Sequence, residues 1–176
     1  RTPIEGLLII KPNIFSDERG CFFESWSRNS FKEIGIKDDF VQDNQSTSSK
    51  GVLRGLHFQN PPYSQAKLVR TIRGAILDVV VDLRKSSGTY GQHFSIQLNE
   101  SNKQMLYIPE GFAHGFVTLE DQTLLFYKCS DFYNKEAEET IIWNDPDLMI
   151  DWEIEQPILS SKDHKGVSFS TYKSPF

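Results

Sequence analysis

No apolar stretch in this sequence approaches the length of a membrane span. Nor is there a basic excess: 19 Lys and Arg stand against 24 Asp and Glu, a net charge of -5, which argues against a general nucleic-acid binder. A few arginines gathered in one cleft could still attract an anionic small ligand. Cysteine is scarce. Cys21 and Cys129 lie far apart with no CxxC spacing, which excludes a zinc ribbon or a disulfide framework, and both are expected to be buried free thiols. No glycine-rich loop opens a helix, so a P-loop is absent. With no signal segment in view the expected location is cytoplasmic. With no repeat or linker, residues 1–176 are expected to form a single domain.

What is present is a succession of short β-branched and aromatic runs divided by turn signals, the pattern of an all-β sandwich or barrel. Expected strands are Leu7–Ile10, Cys21–Trp26, Phe40–Asn44, Val52–Phe58, Ala66–Ile72, Ala75–Leu83, His93–Leu98, Gln104–Ile108, Gly115–Leu119 and Thr123–Ser130. One short helix is expected over Ser30–Ile34, ended by Gly35, and a helical turn near Ser160–Asp163. Asp17-Glu18-Arg19-Gly20 and Arg73-Gly74 read as hairpin turns, and Asn60-Pro61-Pro62-Tyr63 as a loop, since proline cannot donate to a ladder. Strand alternation puts Leu53, Gly55, His57 and Gln59 on one face, with Gly55 leaving room beside the imidazole. It puts Leu125, Tyr127 and Cys129 together on another strand, and Ile76, Asp78, Val80 and Asp82 on a third, where solvent exposure is the expectation for Asp82.

Two segments could carry chemistry. Arg54, Gly55 and His57 place a cation, a glycine and an imidazole within four residues of one strand. Pro109-Glu110-Gly111-Phe112-Ala113-His114-Gly115-Phe116 resembles the second signature of the cupin barrels. Metal-binding cupins carry two histidines spaced by one residue, then a glutamate, in their first signature. Here that stretch reads His57-Phe58-Gln59, and His93 and His164 have no ligand spacing. An imidazole-held divalent metal needs three or more converging ligands, so no metal and no other cofactor is expected.

Eight blocks in order, from about Phe15 to Asp163, resemble the dTDP-4-dehydrorhamnose 3,5-epimerase family. They are Phe15 to Gly20 with Phe23-Glu24-Ser25, Phe40 to Asn44, Val52 to Gln59, Gln65 to Arg70, Ile108 to Phe116, Tyr127-Lys128, Trp143-Asn144-Asp145 and Leu159 to Asp163. The resemblance implies a cupin-type jelly-roll β-barrel with a few short helices, a homodimer, and a dTDP-4-keto-6-deoxyhexose substrate inverted at carbons 3 and 5 on the way to dTDP-L-rhamnose. It further implies His57 as general base, Asp163 as its partner, Tyr127 as general acid and Lys67 beside the keto oxygen. By the same resemblance Arg19, Glu24, Gln42, Asp43, Asn44, Arg54, His114, Glu138 and Lys162 line the substrate site. Relatives that invert carbon 3 alone or carbon 5 alone keep the same His and Tyr, so the number of inverted centres stays open. A non-catalytic nucleotide-sugar binder is the alternative from another class.

The residue types suit this chemistry. Carbons 3 and 5 both flank the carbon-4 ketone, and loss of either proton gives an enolate with its charge on the ketone oxygen. That calls for a base with a near-neutral pKa, which histidine supplies. Inversion needs a separate acid on the other face, and a lysine beside the oxyanion favours the transition state. Without a P-loop the diphosphate must be held by arginine forks, Arg19 and Arg54 being the candidates. Phe22, Tyr133 and Trp143 are candidate stacking surfaces for the thymine.

Overall fold

A computed structural model describes residues 2–176. Its core is two five-stranded antiparallel sheets packed face to face, the double-sheet jelly roll expected. The elements in chain order are β1 (Leu8–Ile10), β2 (Phe15–Asp17), β3 (Gly20–Phe22), α1 (Arg28–Glu33), β4 (Gln42–Ser48), β5 (Leu53–Gln59), β6 (Lys67–Arg73), β7 (Ala75–Asp82), β8 (His93–Asn99), β9 (Met105–Ile108), β10 (Phe112–Thr118), β11 (Thr123–Cys129) and β12 (Glu138–Thr140). A 3-10 turn follows at Asp163–Lys165. The first sheet runs β1-β9-β6-β11-β4 and the second β12-β5-β10-β7-β8, while β2 and β3 stand apart as a hairpin.

Three apolar layers hold this sandwich. Between the sheets lie Val69, Ile76, Val80, Leu98, Leu106, Phe116 and Leu125. The outer side of the first sheet carries Leu68, Met105 and Tyr107, covered by Phe31 of α1 with Ile36, Trp26 and Phe40. The outer side of the second carries Leu56, Phe58, Leu77, Val79 and Val81, covered by the C-terminal segment through Ile141, Leu148, Trp152 and Tyr172. Each buried aliphatic or aromatic side chain contributes roughly 1.5–3 kcal/mol. The C-terminal segment is therefore part of the core, and it carries Asp163 back onto β5.

Several boundaries differ from expectation for physical reasons. The strand expected over Cys21–Trp26 stops at Phe22, because Trp26 turns to pack on Phe31 and Phe40, with ring centroids 4.5 and 4.7 Å away. The strand expected over Phe40–Asn44 runs instead from Gln42 to Ser48, an all-polar sequence whose inward residues face a polar cleft, so no hydrophobic alternation announces it. The strand expected from Gly115 begins at Phe112 and so includes His114. Strand β12 was not anticipated. The helix lies two residues earlier at its start, and the turn near Ser160 becomes helical only at Asp163.

Asp82 is not solvent-exposed. It is fully buried and accepts hydrogen bonds from Arg84 Nε and Nη2, each at 2.8 Å, and from Ser87 and Thr89 hydroxyls, each at 2.7 Å. Burial alone would raise its pKa, but these donors outweigh it and hold the carboxyl at about 2. Cys21, expected to be buried, is exposed on the hairpin, while Cys129 is buried as expected.

Candidate active site

Strict alternation on β5 would set Arg54 and His57 on opposite faces. Instead Leu53, Leu56 and Phe58 pack into the outer layer, and Arg54 and His57 both face the interior. The switch occurs at Gly55, where the pairing of β5 with β10 shifts register between His114 and Phe116. Gly55 has φ 135°, and a Cβ there would lie 2.4 Å from Gly115 Cα. The glycine thus admits a neighbouring backbone, not a ligand as the sequence suggested.

His57 and Gln59 from the second sheet face Lys67, Tyr127, Gln42 and Asn44 from the first across a cleft of about 370 Å³. A second lobe of about 300 Å³ shares His57, Lys67, Tyr127 and Asn44 with it and adds Arg54 and His114. The two lobes meet at the residues expected to do the chemistry. Arg54 Nη2 donates to Ser48 Oγ at 3.3 Å and has no carboxylate partner among the described residues.

Asp163 is buried, and its Oδ1 lies 2.6 Å from His57 Nε2. Burial alone would raise its pKa, but hydrogen bonds from His57, Ser160 and the Gly55 N–H hold it at about 2. An ionised carboxylate can only accept, so Nε2 carries the hydrogen and Nδ1 is left as the basic nitrogen. Burial lowers the His57 pKa, which the Asp163 bond opposes and the Lys162 and Lys67 charges reinforce. The imidazole is therefore neutral at pH 7, as a base must be. Burial pushes the Tyr127 phenol up, so it keeps its proton. Burial lowers Lys67, which has no ion-pair or hydrogen-bond partner among the described residues.

His114 donates from Nε2 to both Asp78 oxygens, at 2.9 and 3.0 Å, and both residues are buried. Asp78 is a residue that sequence reasoning passed over. Its signal was a carboxylate between Ile76 and Val80 on the inner face of β7. Lys162 Nζ pairs with Glu138 Oε1, while the Tyr133 hydroxyl donates to Glu138 Oε2 at 3.0 Å. Gln65 and Cys129 also line the cleft, and Asn44 Nδ2 lies 3.5 Å from Cys129 Sγ.

Three expected site residues are not brought to this cleft. Arg19 lies on the β2–β3 hairpin, paired with Asp17 at 2.6 Å. Glu24 accepts from the Ser30 hydroxyl at 2.8 Å near α1. Asp43 points outward from β4 to Lys128, 2.8 Å away, because alternation sends Gln42 and Asn44 inward and Asp43 out. Of the candidate stacking rings only Tyr133 lines the cleft. Phe22 is on the hairpin, and Trp143 packs on the outer core layer with its carbonyl bonded to Trp152 Nε1 at 2.8 Å. Among the described residues, no three His, Cys, Asp or Glu side chains converge as a metal ion would require.

A family model described as dTDP-4-dehydrorhamnose 3,5-epimerase matches residues 1–171. The chain is 49% identical over 170 residues to the dTDP-4-dehydrorhamnose 3,5-epimerase of Shigella flexneri, covering 96% of this chain and 94% of that one. It superimposes with a TM-score of 0.94 at 46% identity on the dTDP-6-deoxy-D-glucose-3,5-epimerase of Legionella pneumophila, a structure solved in complex with dTDP-4-keto-L-rhamnose, covering 98% of this chain and 92% of that chain. A 3'-monoepimerase from Streptomyces bikiniensis in complex with dTDP-quinovose gives a TM-score of 0.90 at 35% identity, covering 97% of this chain and 87% of that chain. A match of this extent and identity, over a cleft with this side-chain set, places the chain in the dTDP-4-dehydrorhamnose 3,5-epimerase family, and so among the isomerases.

Proposed function

We propose that the chain, as one catalytic domain, inverts carbons 3 and 5 of a dTDP-4-keto-6-deoxyhexose, in the direction of dTDP-L-rhamnose. The observation that carries this reading is the placement of His57 and Tyr127 on facing sheets with Lys67 between the two lobes they share. A sugar ring entering that space would present opposite faces to the two side chains. His57 Nδ1 takes the proton from carbon 5 or carbon 3, and the Asp163 carboxylate offsets the imidazolium charge that forms. Lys67 stabilises the enolate oxygen at carbon 4. Tyr127 returns a proton from the other side, which inverts the centre. Arg54 supplies donors for anionic or hydroxyl groups, His114 Nδ1 is left as an acceptor for a hydroxyl, and Tyr133 offers its ring at the cleft mouth. Double inversion is preferred to a single one because the higher-identity relatives are 3,5-epimerases, against 35% for the 3'-monoepimerase.

Incubation with the dTDP-4-keto-6-deoxyglucose nucleotide in D₂O is expected to introduce deuterium at both carbons, read by NMR. Uptake at carbon 3 alone would reassign the chain as a monoepimerase. No uptake at either carbon would defeat the reading.

The same reading includes a homodimer. Phe15 and Phe22 are 66% and 72% exposed on the β2–β3 hairpin. A two-stranded hairpin with bare aromatic rings is marginal in water unless another surface covers it. A second copy would cover it and would bring Arg19 toward the partner's cleft. Sedimentation is expected to give twice the 20.3 kDa of one chain. A 20.3 kDa species at micromolar concentration refutes the dimer.

A further inference from the structure

Asp163 must be aimed at His57 from a segment 106 residues away in sequence. Its backbone lies at the start of a three-residue 3-10 turn, joined to β5 by the bonds of the Asp163 carboxylate with the Gly55 N–H and His57. The terminal torsion of an aspartate is broad and soft, so one hydrogen bond to an imidazole leaves the carboxylate plane free to rotate. Two further donors act on it. The Gly55 N–H reaches Oδ1 at 3.3 Å, the oxygen that His57 already uses. Ser160 Oγ donates to the other oxygen, Oδ2, at 2.6 Å, and also accepts from the Asp163 backbone N–H at 3.2 Å. No other donor reaches Oδ2 among the described residues. Ser160 thus grips both the backbone and the far oxygen of Asp163.

From this geometry we propose that Ser160 is a positioning residue for the proton transfer: its hydroxyl fixes the Asp163 carboxylate so that Oδ1 meets His57 Nε2. The proposal rests on the reading of His57 as the base. Ser160 touches no reacting atom. Its effect passes entirely through Asp163, which keeps the imidazole in the tautomer that leaves Nδ1 basic and steadies the imidazolium once formed. When the hydroxyl is lost, the carboxylate swings and the bond that favours the charged imidazole weakens.

Ser160→Ala is expected to slow deuterium uptake on the order of tenfold, since small misplacements of a catalytic group are costly, with affinity for dTDP unchanged. The His57 titration midpoint, followed by NMR in the ligand-free protein, is expected to fall by roughly half a pH unit. Ser160→Thr keeps the hydroxyl and is expected to restore both. In an Asp163→Ala background, adding Ser160→Ala is expected to change neither, because coupled residues are not additive. Wild-type exchange with an unmoved His57 titration in Ser160→Ala, or additive losses in the double variant, would overturn the proposal. If the unmutated protein exchanges no deuterium at all, the functional reading fails separately, and the His57 titration still decides the role of Ser160.

Discussion

His57→Ala is expected to reduce deuterium uptake at carbons 3 and 5 by on the order of 10⁴, about 5 kcal/mol of transition-state stabilisation, while leaving dTDP affinity nearly intact. The size follows from the absence of a substitute. Within the two lobes the other imidazole, His114, is engaged by Asp78, and the amine that lines them, Lys67, is needed as a cation. The pH profile should carry the same signature. The His57 pKa is lowered by burial, so the imidazole stays neutral and competent to below its ordinary 6.5. Activity as kcat/KM should therefore hold as pH falls to 6.5 and decline only beneath it. At the alkaline end burial raises Tyr127, which helps it keep its proton, and lowers Lys67 from its ordinary 10.5. An alanine variant retaining more than a tenth of the wild-type exchange would remove His57 from the role of base.

Tyr127→Phe is expected to separate exchange from inversion. The Tyr127 hydroxyl has no hydrogen-bond partner among the described residues, and its ring packs beside the inner layer, so a phenylalanine fits the same space. His57 remains able to take a proton and to return one to the same face. Deuterium should still enter, now with retention of configuration, while net inversion falls by roughly 10²–10³. NMR of the sugar ring distinguishes these outcomes, because retained and inverted centres give different ring couplings. Inversion at the wild-type rate would show that another group delivers the second proton, and the facing-sheet arrangement would lose its purpose.

The all-β class was legible because turn signals and alternation along a strand are local properties, while the jelly roll came from family resemblance. Val79 and Val80, or Tyr127 and Lys128, face opposite ways whatever lies beyond them. For the same reason Leu125, Tyr127 and Cys129 could be placed on one face in advance. Edge strand β4 was misplaced because its residues are all polar, and polarity marks both loops and the lining of a wet cleft. Strand β12 is three residues long and exists through its pairing with β5, from Glu138 to Gln59 through Thr140 to His57.

The roles of His57, Tyr127, Lys67 and Asp163 came from family resemblance, not from local pattern, since a strand histidine or tyrosine alone carries no chemical signal. Tertiary contacts then decided what resemblance could not. They turned Arg54 to the same side as His57 at Gly55, where Gly115 Cα would lie 2.4 Å from a Cβ. They buried Asp82 by bringing Arg84, Ser87 and Thr89 to it, and sent Asp43 outward to Lys128. They left Arg19 and Glu24 outside the cleft of their own chain. What the residue order settles by itself is which side chains can share a face, because the period of a strand is set by backbone geometry. Which faces meet, and which carboxylate finds which base, depends on segments as distant as Gly55 and Asp163, whose contact is formed only when the tail packs onto the second sheet and excludes water from both.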